Sequence, residues 1–208
     1  MILFAAHDPG AKNHISPIYE QALTAGEASE FIDLASSPEL MDDRKASRLV
    51  RALRPELFIA GSSANQAEWG LIRACTGAGV KVAVMLDIGV GRRLDDISHI
   101  EFPDRFMVTN RGCVEELIGC GACRDNVVVT GSAHLETLSD RKIGMASDQI
   151  KRWYGIEDDS NIVPFFTSPN TDDSIDALNS LTYVIPKTPL SHPTLVIRPH
   201  PRTAQMER

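Results

Sequence analysis

Arg198-Pro199-His200-Pro201-Arg202 places an imidazole between two prolines and two guanidinium groups near the end of the chain. The prolines stiffen the backbone on both sides of His200, and the arginines can fork onto a diphosphate. A second polar cluster, His7-Asp8-Pro9-Gly10-Ala11-Lys12-Asn13-His14, follows the first apolar run. There Gly10 lets the backbone approach a ligand, the helix behind it offers free N–H groups, and Lys12 adds a point charge. Ser62, Arg111, and the pair Gly131-Ser132 stand in comparable places after later apolar runs. Gly, Ser, Asn, His and Arg together suit an oxygen-rich, anionic small molecule. The same residues are also what strand–helix turns require for caps and positive φ. His7 and Asp87 are the candidates for a general base, with His200 as a third catalytic candidate.

Other chemistries find less support. Ser62 and Ser63 are not set in G-x-S-x-G, and neither G-x-G-x-x-G nor a P-loop is present. Cys120 and Cys123 form a lone C-x-x-C with Cys113 nearby, without the fourth ligand of a zinc site or the helix start of a redox motif, so no metal is expected.

The elements that must position these residues alternate regularly. Apolar runs at 2–6, 31–34, 57–60, 80–86, 105–109 and 127–130 read as strands. Helical stretches at 15–25, 38–53, 65–78 and 112–118 separate them, with a further one at 139–153. This is the pattern of βαβ units in a mostly parallel, Rossmann-like α/β sheet, whose ligand sites lie beyond the strands' carboxyl ends. Such a domain is expected over 1–140, then a helix and linker over 141–161. A second βαβ unit over 162–208, with strands at 162–167 and 194–198, reads as the start of a further domain that is incomplete. Two short strands do not make a stable sheet alone, so a homodimer or a partner chain is expected to complete it.

The 208 residues are 43% hydrophobic and 24% charged, with 21 Lys+Arg against 28 Asp+Glu and a net charge of −7, and neither half is basic. That composition excludes a disordered chain and argues against nucleic-acid binding. The start of the chain has no positive n-region, no run is long enough to span a membrane, and four cysteines are too few for a disulfide scaffold. A reduced, cytoplasmic protein is the expectation.

The first strand with its His7-Asp8-Pro9-Gly10 loop, the strand running into Val108-Thr109-Asn110, "VVVTGSAH" at 127–134 and "LVIRPHPR" at 195–202 together resemble the GT-B-like superfamily of nucleotide-sugar enzymes. That group includes the non-hydrolysing UDP-N-acetylglucosamine 2-epimerases, CDP-glycerol glycerophosphotransferase-like proteins and surface-polysaccharide glycosyltransferases. The resemblance implies two Rossmann-like domains facing each other across a cleft. It sets Val129-Thr130-Gly131 at the turn ending the first domain's sheet and His200 at the histidine near the donor's phosphates. Asp87 falls where an acid enters the cleft in epimerases. The family's second domain continues through more strands, with a Gly/Ser-rich loop and a glutamate that this sequence lacks. The function implied is transfer or epimerisation of a sugar or polyol-phosphate group in surface glycan synthesis. The nucleotide sugar is the substrate and no cofactor is needed. Arg198, His200 and Arg202 would take the diphosphate, while Lys12 and the first-loop amides face the sugar or acceptor. The alternatives are a non-catalytic truncated relative, or a flavodoxin-like binding or assembly module whose last βαβ unit joins the edge of the main sheet.

Overall fold

The computed structural model describes residues 1–63, 65–86, 102–139 and 147–200. Asp87 and Arg202 lie outside the described residues. The chain divides into two compact units, Met1–Arg141 and Lys142–Arg208.

The first unit is built on strands β1 (Ile2–Ala6), β2 (Ser29–Asp33), β3 (Leu57–Ala60), β4 (Lys81–Leu86), β5 (Arg105–Val108) and β6 (Val127–Val129). They form one parallel sheet in the order β2-β1-β3-β4-β5-β6. Strands covered on both faces must be apolar on both faces, which is why β1, β3 and, after Lys81, β4 read as continuous apolar runs. Leu3 and Ala5 of β1 join Phe58, Val82, Val84, Phe106 and Val108 on one face, under helices α2 (Asp43–Leu53), α3 (Trp69–Gly77) and α4 (Arg111–Gly119). Phe4 and Ala6 join Ile59 and Met85 on the other, under helix α1 (Pro9–Thr24) through Ala11 and Ile15. Helix α5 (Ala133–Ser139) packs on α1.

Several expected boundaries are corrected. Helix α1 begins at Pro9 rather than residue 15, because proline's missing N–H and fixed φ suit the first position of a helix. Gly10, Lys12, Asn13 and His14 are therefore helical, and the loop after β1 shrinks to His7 and Asp8. The stretch 38–53 is a 3₁₀ turn (Pro38–Met41) followed by α2, split at Asp42, whose side chain accepts from the Arg44 and Lys45 N–H groups. Helix α3 starts only at Trp69, after a turn through Asn65–Glu68. The described ends of the stretch at 139–153 belong to α5 and to α6 (Ser147–Tyr154).

The second unit pairs β7 (Asn161–Phe166) with β8 (Pro193–Arg198) in a separate two-stranded parallel sheet, joined by helix α7 (Thr171–Val184). The flavodoxin-like alternative has the last βαβ unit extend the main sheet; among the described residues β7 and β8 instead pair with each other in a sheet of their own.

Candidate functional site

Chain leaving β1 passes through α1 to β2, while chain leaving β3 passes through α3 to β4 on the opposite face. The connections diverge between neighbouring strands, and it is at such a point, here the carboxyl ends of β1 and β3, that open α/β sheets place their ligand crevice. His7-Asp8 and Gly61-Ser62-Ser63 are the residues that leave those strands.

Their backbones are tied together by Glu68, a residue with 1% exposure. Its Oε1 accepts from the His7 N–H at 2.9 Å and from the Ser63 hydroxyl at 2.5 Å. Its Oε2 accepts from the Ser63 N–H at 3.1 Å. The Ser63 oxygen in turn accepts from the Asp8 N–H at 3.1 Å. Burial pushes the Glu68 carboxyl up from its ordinary range, and these donors pull it partly back.

The His7 Nδ1 lies 2.8 Å from Asp8 Oδ1. A carboxylate only accepts, so Nδ1 carries the proton and the neutral ring presents Nε2 as a base. The Asn65 side-chain amide reaches that Nε2 at 3.5 Å, while its oxygen accepts from the Ala67 N–H. A partly exposed imidazole oriented by a carboxylate is equipped to take a proton from a ligand hydroxyl or carbon acid.

The remaining candidates spread along the same edge of the sheet. Lys12 is ion-paired with Asp33 at the end of β2, at 2.5 Å, and that bond holds the Asp33 carboxyl below its usual range. Gly10 and Asn13 sit exposed on the first turns of α1. Beyond β6, Gly131 takes a φ of +76°, which glycine adopts without strain. Ser132 is buried, accepts from the Leu135 N–H at 3.2 Å and meets Nδ1 of buried His14 at 3.3 Å, joining the end of β6 to α1. Arg111, exposed, opens α4 beyond β5 behind the capping side chain of Asn110.

In the second unit, the Thr167 N–H donates to the Arg198 carbonyl at 3.1 Å, and the His200 N–H donates to the Thr167 hydroxyl at 2.6 Å. The carboxyl ends of β7 and β8 are thus fastened together beside the start of α7. There Asn170 caps the Asp172 N–H and Ser168 bonds Ser174. The Arg198 side chain is exposed.

With this geometry in view, solved structures supply the comparison. The S. aureus MnaA–UDP co-structure matches 98% of this chain and 64% of its own, with 12% identity and a TM-score of 0.66. The UDP-GlcNAc 2-epimerase from Neisseria meningitidis, bound to UDP-GlcNAc, matches 99% of this chain and 67% of its own, with 12% identity and a TM-score of 0.63. The chain has the fold of these enzymes. Anabaena Alr3699/HepE in complex with UDP matches 99% of this chain and 71% of its own, with 10% identity and a TM-score of 0.54. The chain thus spans about two thirds of the length of the structures it matches. No protein-family profile matches it, and no curated protein matches it in sequence.

Glu68 is the site residue that sequence reasoning missed. The available signal was an acid set alone among apolar residues, in Ala67-Glu68-Trp69-Gly70-Leu71-Ile72. Among the described residues no group of His, Cys, Asp and Glu is arranged to hold a metal ion, and none of their helices is long and apolar enough to cross a membrane. Cys75 is buried, and burial pushes its thiol up to about 12, which leaves it unreactive.

Proposed function

We propose that this chain binds a nucleotide sugar and epimerises it, or transfers its glycosyl or polyol-phosphate group, in the cytoplasm during surface polysaccharide synthesis. The observation that carries this reading is the match of nearly the whole chain to the fold of enzymes captured with UDP and UDP-GlcNAc. The oriented His7–Asp8 pair at the sheet's switch point supplies the chemistry to go with it. In such reactions a nucleoside diphosphate departs, and stabilising its developing charge is the largest requirement. Arg198, Arg202 and His200 are assigned to the diphosphate, with His200 also a catalytic candidate. His7, through Nε2, is assigned as general base, with Asp87 as the other candidate. Gly10, Lys12, Asn13, Ser62, Arg111, Gly131 and Ser132 are assigned to the sugar, the acceptor and their phosphate oxygens. The reading calls for no metal and no cofactor besides the nucleotide sugar. A homodimer or partner chain is part of it.

The test is titration of the full chain with UDP-, CDP- and GDP-sugars by calorimetry, with incubation in D₂O to detect deuterium at the sugar C2. Binding, with Arg198→Ala and His200→Ala each weakening it about tenfold at unchanged melting temperature, is the expected result. Absence of binding at millimolar ligand would overturn the reading. Deuterium at C2 selects epimerisation over transfer. A binding or assembly module without catalysis is the second reading. What favours it is that no apolar side chain is fully buried among the described residues of the second unit.

A further inference from the structure

We propose that Glu68 is a positioning residue: its carboxylate fixes the two loops of the crevice so that His7 presents Nε2 to the ligand. The identity of that ligand rests on the nucleotide-sugar reading; the positioning does not.

Glu68 occupies the N-cap position of α3 but makes no capping bond to that helix. Both of its oxygens are directed instead at residues that leave β1 and β3. Burying a carboxylate is costly and is tolerated where the charge is met by several donors. The donors it meets include the His7 N–H and both the N–H and the hydroxyl of Ser63, 61 and 5 residues away in sequence. The consequence falls on His7 and Asp8. The His7 N–H is held directly and the Asp8 N–H is held through the Ser63 oxygen, so two successive peptide groups are fixed. Fixing both peptides sets the directions in which the two side chains leave the backbone. From there the Asp8 carboxylate reaches His7 Nδ1 at 2.8 Å and selects the tautomer with Nε2 unprotonated. Asn65 and Ala67, in the turn that leads to Glu68, complete the frame by placing an amide near Nε2. An apolar residue at 68 would fill the same space and leave the peptide donors of both loops unmet.

The experiment compares the wild-type 208-residue chain with Glu68→Gln, Ser63→Ala and Ser63→Thr, each checked for folding by far-UV circular dichroism. ¹⁵N-labelled histidine spectra, with the His7 ring assigned by His7→Gln, report the tautomer. Glutamine offers one accepting oxygen and turns an NH₂ toward a donor, so Glu68→Gln is expected to lose the Nδ1–H signature of His7. If the loops then hold the competent arrangement a tenth of the time, the dissociation constant for UDP-GlcNAc rises about tenfold. In a His7→Ala background Glu68→Gln is expected to add no further loss, because it acts through His7. Ser63→Ala, which cuts the link to the Asp8 N–H, should mix the tautomers, and Ser63→Thr should restore the wild-type signature. A folded Glu68→Gln that keeps the wild-type His7 signature overturns the proposal. Should Glu68→Gln fail to fold, an unchanged signature in Ser63→Ala overturns it instead. A wild type that binds no nucleotide sugar defeats the functional reading alone, since the His7 signature is read without ligand.

Discussion

Asp104 accepts from the Lys81 ammonium at 2.6 Å and from the Val82 N–H at 2.9 Å, tying the residue before β5 to the start of β4. Those bonds, the lysine first, hold its carboxyl below the ordinary value of 3.8. A carboxyl with a lowered folded-state pKa adds stability that is present above the unfolded value and disappears as pH falls through the folded one. Asp104→Asn is therefore expected to cost about 0.5–1 kcal/mol at neutral pH, a small figure because the pair is solvent-screened. The difference from wild type should shrink as the pH is lowered through 3.8, and urea melts at a series of pH values measure it. A gap that stayed constant down to acid pH would show that the ionised carboxylate is not what stabilises. Glu68 runs the other way: its raised carboxyl favours the folded state most below 4.5, and that contribution falls as pH rises toward the folded value. Asp104 is half-exposed and Glu68 buried, and burial sets which sign applies.

At the scale of elements, Gly61 shows how closely β3 and α1 approach. A Cβ built there would lie 2.7 Å from the Ala11 Cβ and 3.3 Å from the Ala6 Cβ. Gly61→Ala must push α1 off the sheet, and overpacking of this kind costs about 1–3 kcal/mol. A lower urea midpoint at unchanged slope is the expected result; an unchanged midpoint would mean that the helix yields freely. The central strands were legible in the sequence because helices cover both faces of the sheet, so β1, β3 and the run of β4 after Lys81 had to be apolar. The start of α1 was not, because Pro9-Gly10 reads as a turn until proline is recognised as a first helical residue. The break at Asp42 was hidden for a related reason: an acid inside a charged helix looks like one more surface residue until its side chain is seen capping the next turn. Glu68 was hardest to see. Its partners His7 and Ser63 are brought to it by the β1–β3 pairing, a long-range contact that no local pattern encodes.

At the scale of the molecule, the first unit holds its apolar side chains in two buried layers, while among the described residues of the second only Ser160 and Ser174 are buried. Phe166, Ile175, Tyr183 and Ile197 are 66%, 49%, 70% and 45% exposed. Two strands and a helix without a closed core do not offset the conformational entropy of ordering them. Residues 160–208 expressed alone are therefore expected to give a collapsed amide NMR spectrum, and a well-dispersed monomeric spectrum would contradict this. The strand order of the first unit bears on how the chain is made. Each of β2 to β6 pairs with a strand that precedes it in sequence, β2 and β3 on either side of β1 and the others outward in turn. A nascent chain can add each strand to an edge already exposed, without waiting for a later segment. Every residue of the His7–Glu68 frame precedes β4 in sequence, so within this sheet the part made first is also the part proposed to do the chemistry.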